Sequence, residues 1–505
     1  MRVVFILTDS TCRRYLKAYG SAHPAITPNL DRLAEMGCVF DNHWVGSAPC
    51  MPARRDIMTG RVNFLEKPWG AIEPFDQTLP GLLRTVNAHT HIVTDHYHYL
   101  RKGGEDYLGS FTSYEIIRGQ EHDTLNLPAG PDGLIRQERP AGLKGGYDLA
   151  HDETYKKFTD ETQYPTPVTL QHAAEWLERN KDADNFLLWT ECFDPHEPFD
   201  VPGQYLDLYR DEDDYEGGDL YWPKYAPNTF NEQETRHLAC LYKAQLTMTD
   251  HYIGRVFDVL DRNDMWKDTM VIYTTDHGFM LGEHGYMAKN YMPAYNEVFN
   301  IPLIIWHPQA TVKRFAGITQ NVDILPTVCH QFGVDRGIMQ YPLHGMDLTP
   351  CLTGEQDAAH TEILFGNFGK SGNYYDGQYV YMRAAAREDN KPLNVYTAMP
   401  TTHDRTFGWG TVEQADYARI GMARNYAGYP VLKIPAEVIG MKGGSSGFDV
   451  RSEYNAENLL FDIREDYAEE HPLHDAALEA RCVEGLKRCM AARQAPEEQY
   501  ERLGL

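Results

Sequence analysis

The chain has 505 residues and a formal net charge of -26, with 42% apolar and 24% charged residues. So acidic a surface argues against nucleic acid or an anionic membrane as a partner, while the length allows a large buried core in one to three domains. Nine cysteines lie scattered with neither zinc-like nor redox spacing, so reduced, buried thiols are expected instead of a disulfide framework.

The opening run Val3 to Leu7 is apolar and β-branched, as in a strand covered on both faces. It is too short for a signal peptide, and no segment is long enough to span a bilayer. If Met1 is the native start, a cytoplasmic protein is expected; otherwise an exported or periplasmic one. Asp9 stands just past the carboxyl end of this strand, where open α/β sheets place their ligands. Thr27-Pro28-Asn29-Leu30 has an N-cap residue and a proline suited to the first turn, so a helix starts there.

Ala48-Pro49-Cys50-Met51-Pro52-Ala53-Arg54 follows, with Thr59-Gly60-Arg61 behind it. A cysteine at a helix start meets unpaired N–H groups and the positive end of the dipole, which makes Cys50 a candidate nucleophile or metal ligand. Arg54, four residues on, faces the same spot across one turn.

Ile92 to Thr94 reads as a short buried strand leading into Asp95-His96-Tyr97-His98. From about residue 101 to 165 periodicity is lost, as in loops inserted over a site. Val168 to Arg179 reads as an amphipathic helix and Asn185 to Thr190 as a buried strand. That strand ends in Asp194-Pro195-His196-Glu197-Pro198-Phe199, a stiff loop that suits His196 to act as a general acid. Asp211 to Asp219 reads as a solvated acidic loop. Leu238 to Leu260 is strongly amphipathic, with Met248 in its core stripe.

Met270 to Thr274 is a further buried strand, delivering Asp276-His277-Gly278, a source of two metal ligands in one turn. Lys289 follows, then the strand Ile301 to Ile305 and a helix opening at Val322. Beyond Gly354 the pattern becomes alternating, as in Gln378 to Arg383, with glycine-rich turns at Gly443 to Gly447. The strand Leu460 to Ile463 and a helix from about Ala476 to Met490 close the chain.

Asp9, Cys50 to Arg54, His98, Asp194 to His196 and Asp276 to Lys289 resemble, in the same order, the motifs of the type I sulfatases of the alkaline phosphatase superfamily. The resemblance implies an α/β fold with a large mixed, mostly parallel sheet flanked by helices. A catalytic domain would cover 1–355 and a smaller C-terminal α+β subdomain on an antiparallel sheet would cover 356–505. It also implies that Cys50 is oxidised to formylglycine by a formylglycine-generating enzyme. One divalent cation, Ca2+ or Mn2+, would be held by Asp9, Asp276, His277 and residue 50. Arg54 and Lys289 would stabilise the ester oxygens, His98 the formylglycine hydroxyl, and His196 would protonate the leaving alcohol. The expected reaction is hydrolysis of a small-molecule or carbohydrate sulfate ester. A homo-oligomer is compatible with this reading.

Three departures from the family pattern stand out. Ser10 occupies the place of a second aspartate, which removes one carboxylate and moves the site from calcium toward manganese. Family members that cleave phosphonate monoesters and phosphodiesters tend to share that loss, making such an activity the alternative. His96 stands where a substrate-binding lysine is common, and Met51 where the residue after the cysteine is usually small. A reading of another class is a catalytically silent anion- or glycan-binding protein with unmodified Cys50. Specificity is expected in the insertions near 101–165 and 202–230 and in the C-terminal subdomain.

Overall fold

The computed structural model describes residues 1–104, 106–130, 139–402, 405–407, 409–414, 416–419, 429–439 and 457–505. Its centre is an eight-stranded mixed sheet. The strands lie in the order Arg314–Gln320, Cys38–Trp44, Leu303–Trp306, Thr269–Thr275, Arg2–Thr8, Phe186–Cys192, His89–Thr94 and Ser113–Ile116. Leu303–Trp306 runs against both neighbours, and the other paired strands are parallel.

Alternation along Arg2–Thr8 sends successive side chains to two cores. Val4 and Ile6 meet the helices Pro28–Met36, Pro165–Arg179 and Glu232–Arg262. Val3, Phe5 and Leu7 meet the opposite layer, which includes the helices Cys50–Thr59, Leu79–Arg84 and Ile324–Gln331. Both faces are thus dry, which is why the strand is a continuous apolar run.

A second, five-stranded sheet joins Leu459–Asp462, Tyr379–Arg383, Gly372–Tyr375 and Ile363–Asn367 as antiparallel neighbours. Its last strand is Ser47–Ala48, paired in parallel with Gly366 and Asn367, so this sheet is stitched to the segment that enters the Cys50 helix. The helix Ala476–Ala492 covers it, with Cys482, Leu486 and Cys489 against Tyr374 and Tyr381.

The expected strands and helices are present with shifted ends. The long helix spans Glu232–Arg262 because Asn231 and Glu234 form a reciprocal capping box ahead of the apolar stripe. Within 101–165 the structure has a helix, Leu149–Tyr155, and the edge strand Ser113–Ile116, whose short, half-exposed Ser-Tyr-Glu-Ile run carries no apolar signal. The Gly443 to Gly447 turns lie outside the described residues. All nine cysteines are free and buried, and among the described residues no helix is long and apolar enough to cross a membrane.

Candidate active site

Register brings the first two carboxylates together. Arg2–Thr8 pairs in parallel with Thr269–Thr275 so that Thr8 lies opposite Thr275. The next residues, Asp9 and Asp276, therefore leave the sheet side by side. Glu191, one residue inside the end of Phe186–Cys192, lies opposite Leu7 on the other flank. His277 follows Asp276 in a turn that only glycine can close, because a Cβ on Gly278 would stand 1.8 Å from the Glu297 carbonyl oxygen.

The Cys50–Thr59 helix is buried along its whole length and ends at Gly60 in the left-handed conformation, with φ 67°. It brings Cys50 and Arg54 to the same spot. Ligand atoms of Asp9, Cys50, Asp276 and His277 all lie within 4.8 Å of one another. The Cys50 Sγ is 3.2 Å from His277 Nε2, which is itself 3.2 Å from Asp276 Oδ2. The His277 Nδ1–H donates to the Gly278 carbonyl at 2.8 Å, so the lone pair of the neutral ring belongs to Nε2, inside the cluster. Two carboxylates, an imidazole and residue 50 at this spacing fit one divalent cation.

Arg54 is fully buried and ties the carboxylates together. Its Nε donates to Glu191 at 2.6 Å, Nη2 to Asp9 at 3.0 Å and Nη1 to Asp276. Where ester oxygens were the expected partners, the guanidinium fork is directed at three carboxylates, of which Asp9 and Asp276 are candidate cation ligands. Burial would push the Asp9 carboxyl up, but Arg54 and then Lys289 outweigh it and hold it down at about 2. Burial and then Asp9 push the Cys50 thiol well up, so in the metal-free protein it stays protonated.

Ser10 adopts φ 63°, a strained value for a side-chain-bearing residue, and its hydrogen bonds account for it. The Ser10 N–H donates to Asp276 at 3.0 Å and the hydroxyl donates to Asp9 at 2.7 Å while accepting from Lys289 at 2.9 Å. Ser10 thus orders the two carboxylates and couples the lysine to them. Lys289 is buried, 3.9 Å from Asp9 and 3.6 Å from Glu197; burial alone would lower its pKa, but these acidic neighbours outweigh that and hold it charged.

His96 and His98 do not occupy equivalent places. His96 is wholly buried behind the carboxylates, 3.7 Å from Asp9 and 3.9 Å from Glu191, with no hydrogen bond on either ring nitrogen. Burial, then Arg54, keeps it neutral. It packs against Tyr99, His98 and Phe193. His98 faces Glu121 at 2.9 Å and stacks edge-on with Trp69. His196 donates from Nδ1 to the Glu197 carbonyl; burial, then Lys289, keeps its ring neutral before an anion arrives.

A buried network locks the histidine loops together. Gln120 Nε2 donates to Asp95 at 2.9 Å and to Asp194 at 3.1 Å, and the Phe193 N–H donates to Asp95 at 2.7 Å. Burial pushes the Asp95 carboxyl up to about 6 and that of Asp194 well up. Gln120, Glu121, Glu191, Glu197 and Tyr225 were not among the expected site residues. Glu191 had a legible signal, a carboxylate at the end of an apolar strand like Asp9; the others had none.

A cavity of about 630 Å3 opens beside these groups, lined by residues such as Glu121, His122, Glu197, Trp222, Lys224 and Tyr225. Most of its lining comes from the two expected insertions, and Glu197 and Tyr291 complete it from outside them. Among the described residues the C-terminal part of the chain adds none.

The sequence of residues 2–334 matches the family model for sulfatases. The chain belongs to the sulfatase family. It is by class a sulfuric ester hydrolase. This sulfatase is 27% identical to the multifunctional alkaline phosphatase superfamily protein PehA of Trinickia caryophylli, over 67% of its own length and 74% of that protein. It is 23% identical to an arylsulfatase of Clostridium perfringens, over 69% and 78% of the two chains. In fold it resembles the phosphonate monoester hydrolase of Agrobacterium radiobacter, with TM-score 0.66, 19% identity and coverage of 97% and 96%. It likewise resembles a protein solved with its substrate D-glucosamine-2-N,6-O-disulfate, with TM-score 0.64, 18% identity and coverage of 98% and 99%.

Proposed function

We propose that this sulfatase hydrolyses a carbohydrate sulfate ester, with residue 50 acting as formylglycine and one divalent cation held by Asp9, Asp276, His277 and residue 50. The observation that carries this reading is the convergence of those four residues within 4.8 Å at the end of the Arg54 fork. Calcium or manganese suits the donor set. When bound, the cation would lower the pKa of a hydroxyl on residue 50 and offset the charge of the ester.

The chain's own groups supply the rest. Hydrated formylglycine carries two hydroxyls on one carbon. One forms a bond to sulfur as the bond between sulfur and the alcohol oxygen breaks. The other, on losing its proton, restores the aldehyde and expels sulfate, so no water has to attack sulfur. Lys289 meets the ester's negative charge. Burial is the main cause that keeps His196 neutral and Lys289 the second; an anion beside Lys289 offsets the second and favours His196 carrying the proton that the departing alcohol needs. His98, backed by Glu121, is suited to take the proton of the second hydroxyl. Because Cys50 is 1% exposed in a fully buried helix, a formylglycine-generating enzyme would have to act before the chain folds.

The carbohydrate class draws support from the glucosamine disulfate complex and from 23% identity to an N-acetylglucosamine-6-O-sulfatase of Bacteroides thetaiotaomicron. Hydrolysis of phosphonate monoesters or phosphodiesters is the second reading, favoured by Ser10 in place of a carboxylate and by the likeness to the Agrobacterium enzyme. Side-by-side kcat/KM values on an aryl sulfate, an aryl phosphonate and a phosphate diester decide between them: the sulfate should lead, and a leading phosphonate would reverse the order of the two readings. His196→Ala should lower kcat by about 10²- to 10⁴-fold on esters of poorly acidic alcohols, and by much less on nitrophenyl esters. An equal loss on both would remove His196 from proton transfer.

A further inference from the structure

Glu197 lies in the cavity wall, one residue beyond His196, and is 1% exposed. One carboxylate oxygen, Oε1, accepts from the Tyr225 hydroxyl. The other, Oε2, has no hydrogen bond although it stands 3.6 Å from Lys289 Nζ and 3.4 Å from His196 Nδ1. A buried carboxylate oxygen left without a donor is costly, and such an oxygen beside a cavity is normally completed by what the cavity binds.

The position of Oε2 limits what that donor is. In the proposed reaction Lys289, on one side, meets the ester, and His196, on the other, serves the departing oxygen through Nε2, the ring nitrogen opposite the Nδ1 that donates to the Glu197 carbonyl. A donor reaching Oε2 while the ester is seated therefore belongs to the alcohol half, close to the scissile bond. Charge selects between donor types. The cavity lining sets Glu121 and Glu197 against Arg139 and Lys224, with Lys289 behind. There is no net negative field to hold an ammonium group, and a neutral hydroxyl fits. Trp222 and Tyr225 add the flat apolar surface on which rings bearing hydroxyls pack.

We infer that Glu197 is a specificity-determining residue, its Oε2 accepting a hydrogen bond from a hydroxyl on the carbon next to the one carrying the ester, so that this sulfatase selects vicinal hydroxy-sulfates. The inference rests on the sulfate-ester reading and narrows it. Tyr225 is a positioning residue that turns Glu197 so that Oε2 faces the ligand.

The test compares catechol monosulfate (2-hydroxyphenyl sulfate), which has the neighbouring hydroxyl, with phenyl sulfate, which lacks it. Dividing each variant's kcat/KM by the wild-type value on the same substrate removes the difference in leaving group. Glu197→Gln keeps the shape of the side chain, and with its carbonyl oxygen taking the Tyr225 hydroxyl it presents N–H to the ligand hydroxyl. Its relative kcat/KM should fall about 10- to 100-fold further on the catechol ester than on the phenyl ester. Tyr225→Phe should shift the same ratio in the same direction by less, which keeps the test readable if Glu197→Gln folds poorly. Equal losses on both substrates, in both variants, would overturn the inference and leave Glu197 acting through Lys289 and His196. Failure of the wild-type enzyme, carrying the aldehyde and metal, to cleave either ester would instead defeat the sulfate-ester reading, and the inference with it.

Discussion

Cys50→Ala is expected to lower turnover of an aryl sulfate by about 10⁴-fold or more, to the level of the uncatalysed background. Alanine cannot be oxidised to an aldehyde, so the variant lacks the pair of hydroxyls that lets sulfate be displaced and then expelled. It also removes one of the four groups that converge at the candidate cation site. The fold should survive, because the side chain lost is small and its polar contact is the 3.2 Å approach to His277. Circular dichroism and a denaturation midpoint close to wild type would establish that. Mass spectrometry of the wild-type peptide spanning residue 50 should find the aldehyde in place of the thiol in active preparations. An active wild-type enzyme with an intact thiol, or an alanine variant that turns over normally, would remove formylglycine from the mechanism and return the chain to the anion-binding reading.

The second large effect is on stability. Arg54 is wholly buried and donates to Asp9, Glu191 and Asp276 at once. Removing one partner from a buried ionic cluster leaves uncompensated charge, which costs about 3–5 kcal/mol. Arg54→Ala should therefore lose about that much in chemical denaturation, and Arg54→Lys should recover only part, since a point charge cannot reach three carboxylates as the planar fork does. A divalent cation on Asp9 and Asp276 would supply positive charge to two of the three. The loss should accordingly be larger in chelator than in saturating manganese or calcium. A loss that is the same with and without metal would mean that the cation does not sit on these carboxylates. A loss under about 1 kcal/mol would mean that the cluster relaxes by taking up protons or water.

The charge of -26 poses a question that the site geometry answers. The average surface repels an anionic ester, and in the site Arg54 is already shared among Asp9, Glu191 and Asp276, which leaves Lys289 as the buried charge to meet it. Charge in a dry pocket acts through little dielectric, so Lys289 with a bound divalent cation would outweigh distant, screened surface carboxylates.

The sequence by itself determined the strands, the helix that starts at Cys50 and the order of the motifs, because these depend on local pattern. Apolar runs buried on both faces mark Arg2–Thr8 and Thr269–Thr275, and the residue just past each is read directly as Asp9 and Asp276. The four-residue spacing of Cys50 and Arg54 already put them on one helix face. What Arg54 touches was decided only in three dimensions. Its partners come from three different strand ends, and nothing local to Arg54 says whether a guanidinium will meet an ester or carboxylates. The same holds for Glu197, which in sequence is the variable place in a histidine motif, and for Gln120, in a stretch with no periodicity at all. Each acquires its role from side chains many tens of residues away, brought close by strand register and loop packing, and a carboxylate's burial and missing donor are properties of that surrounding volume, not of its neighbours along the chain.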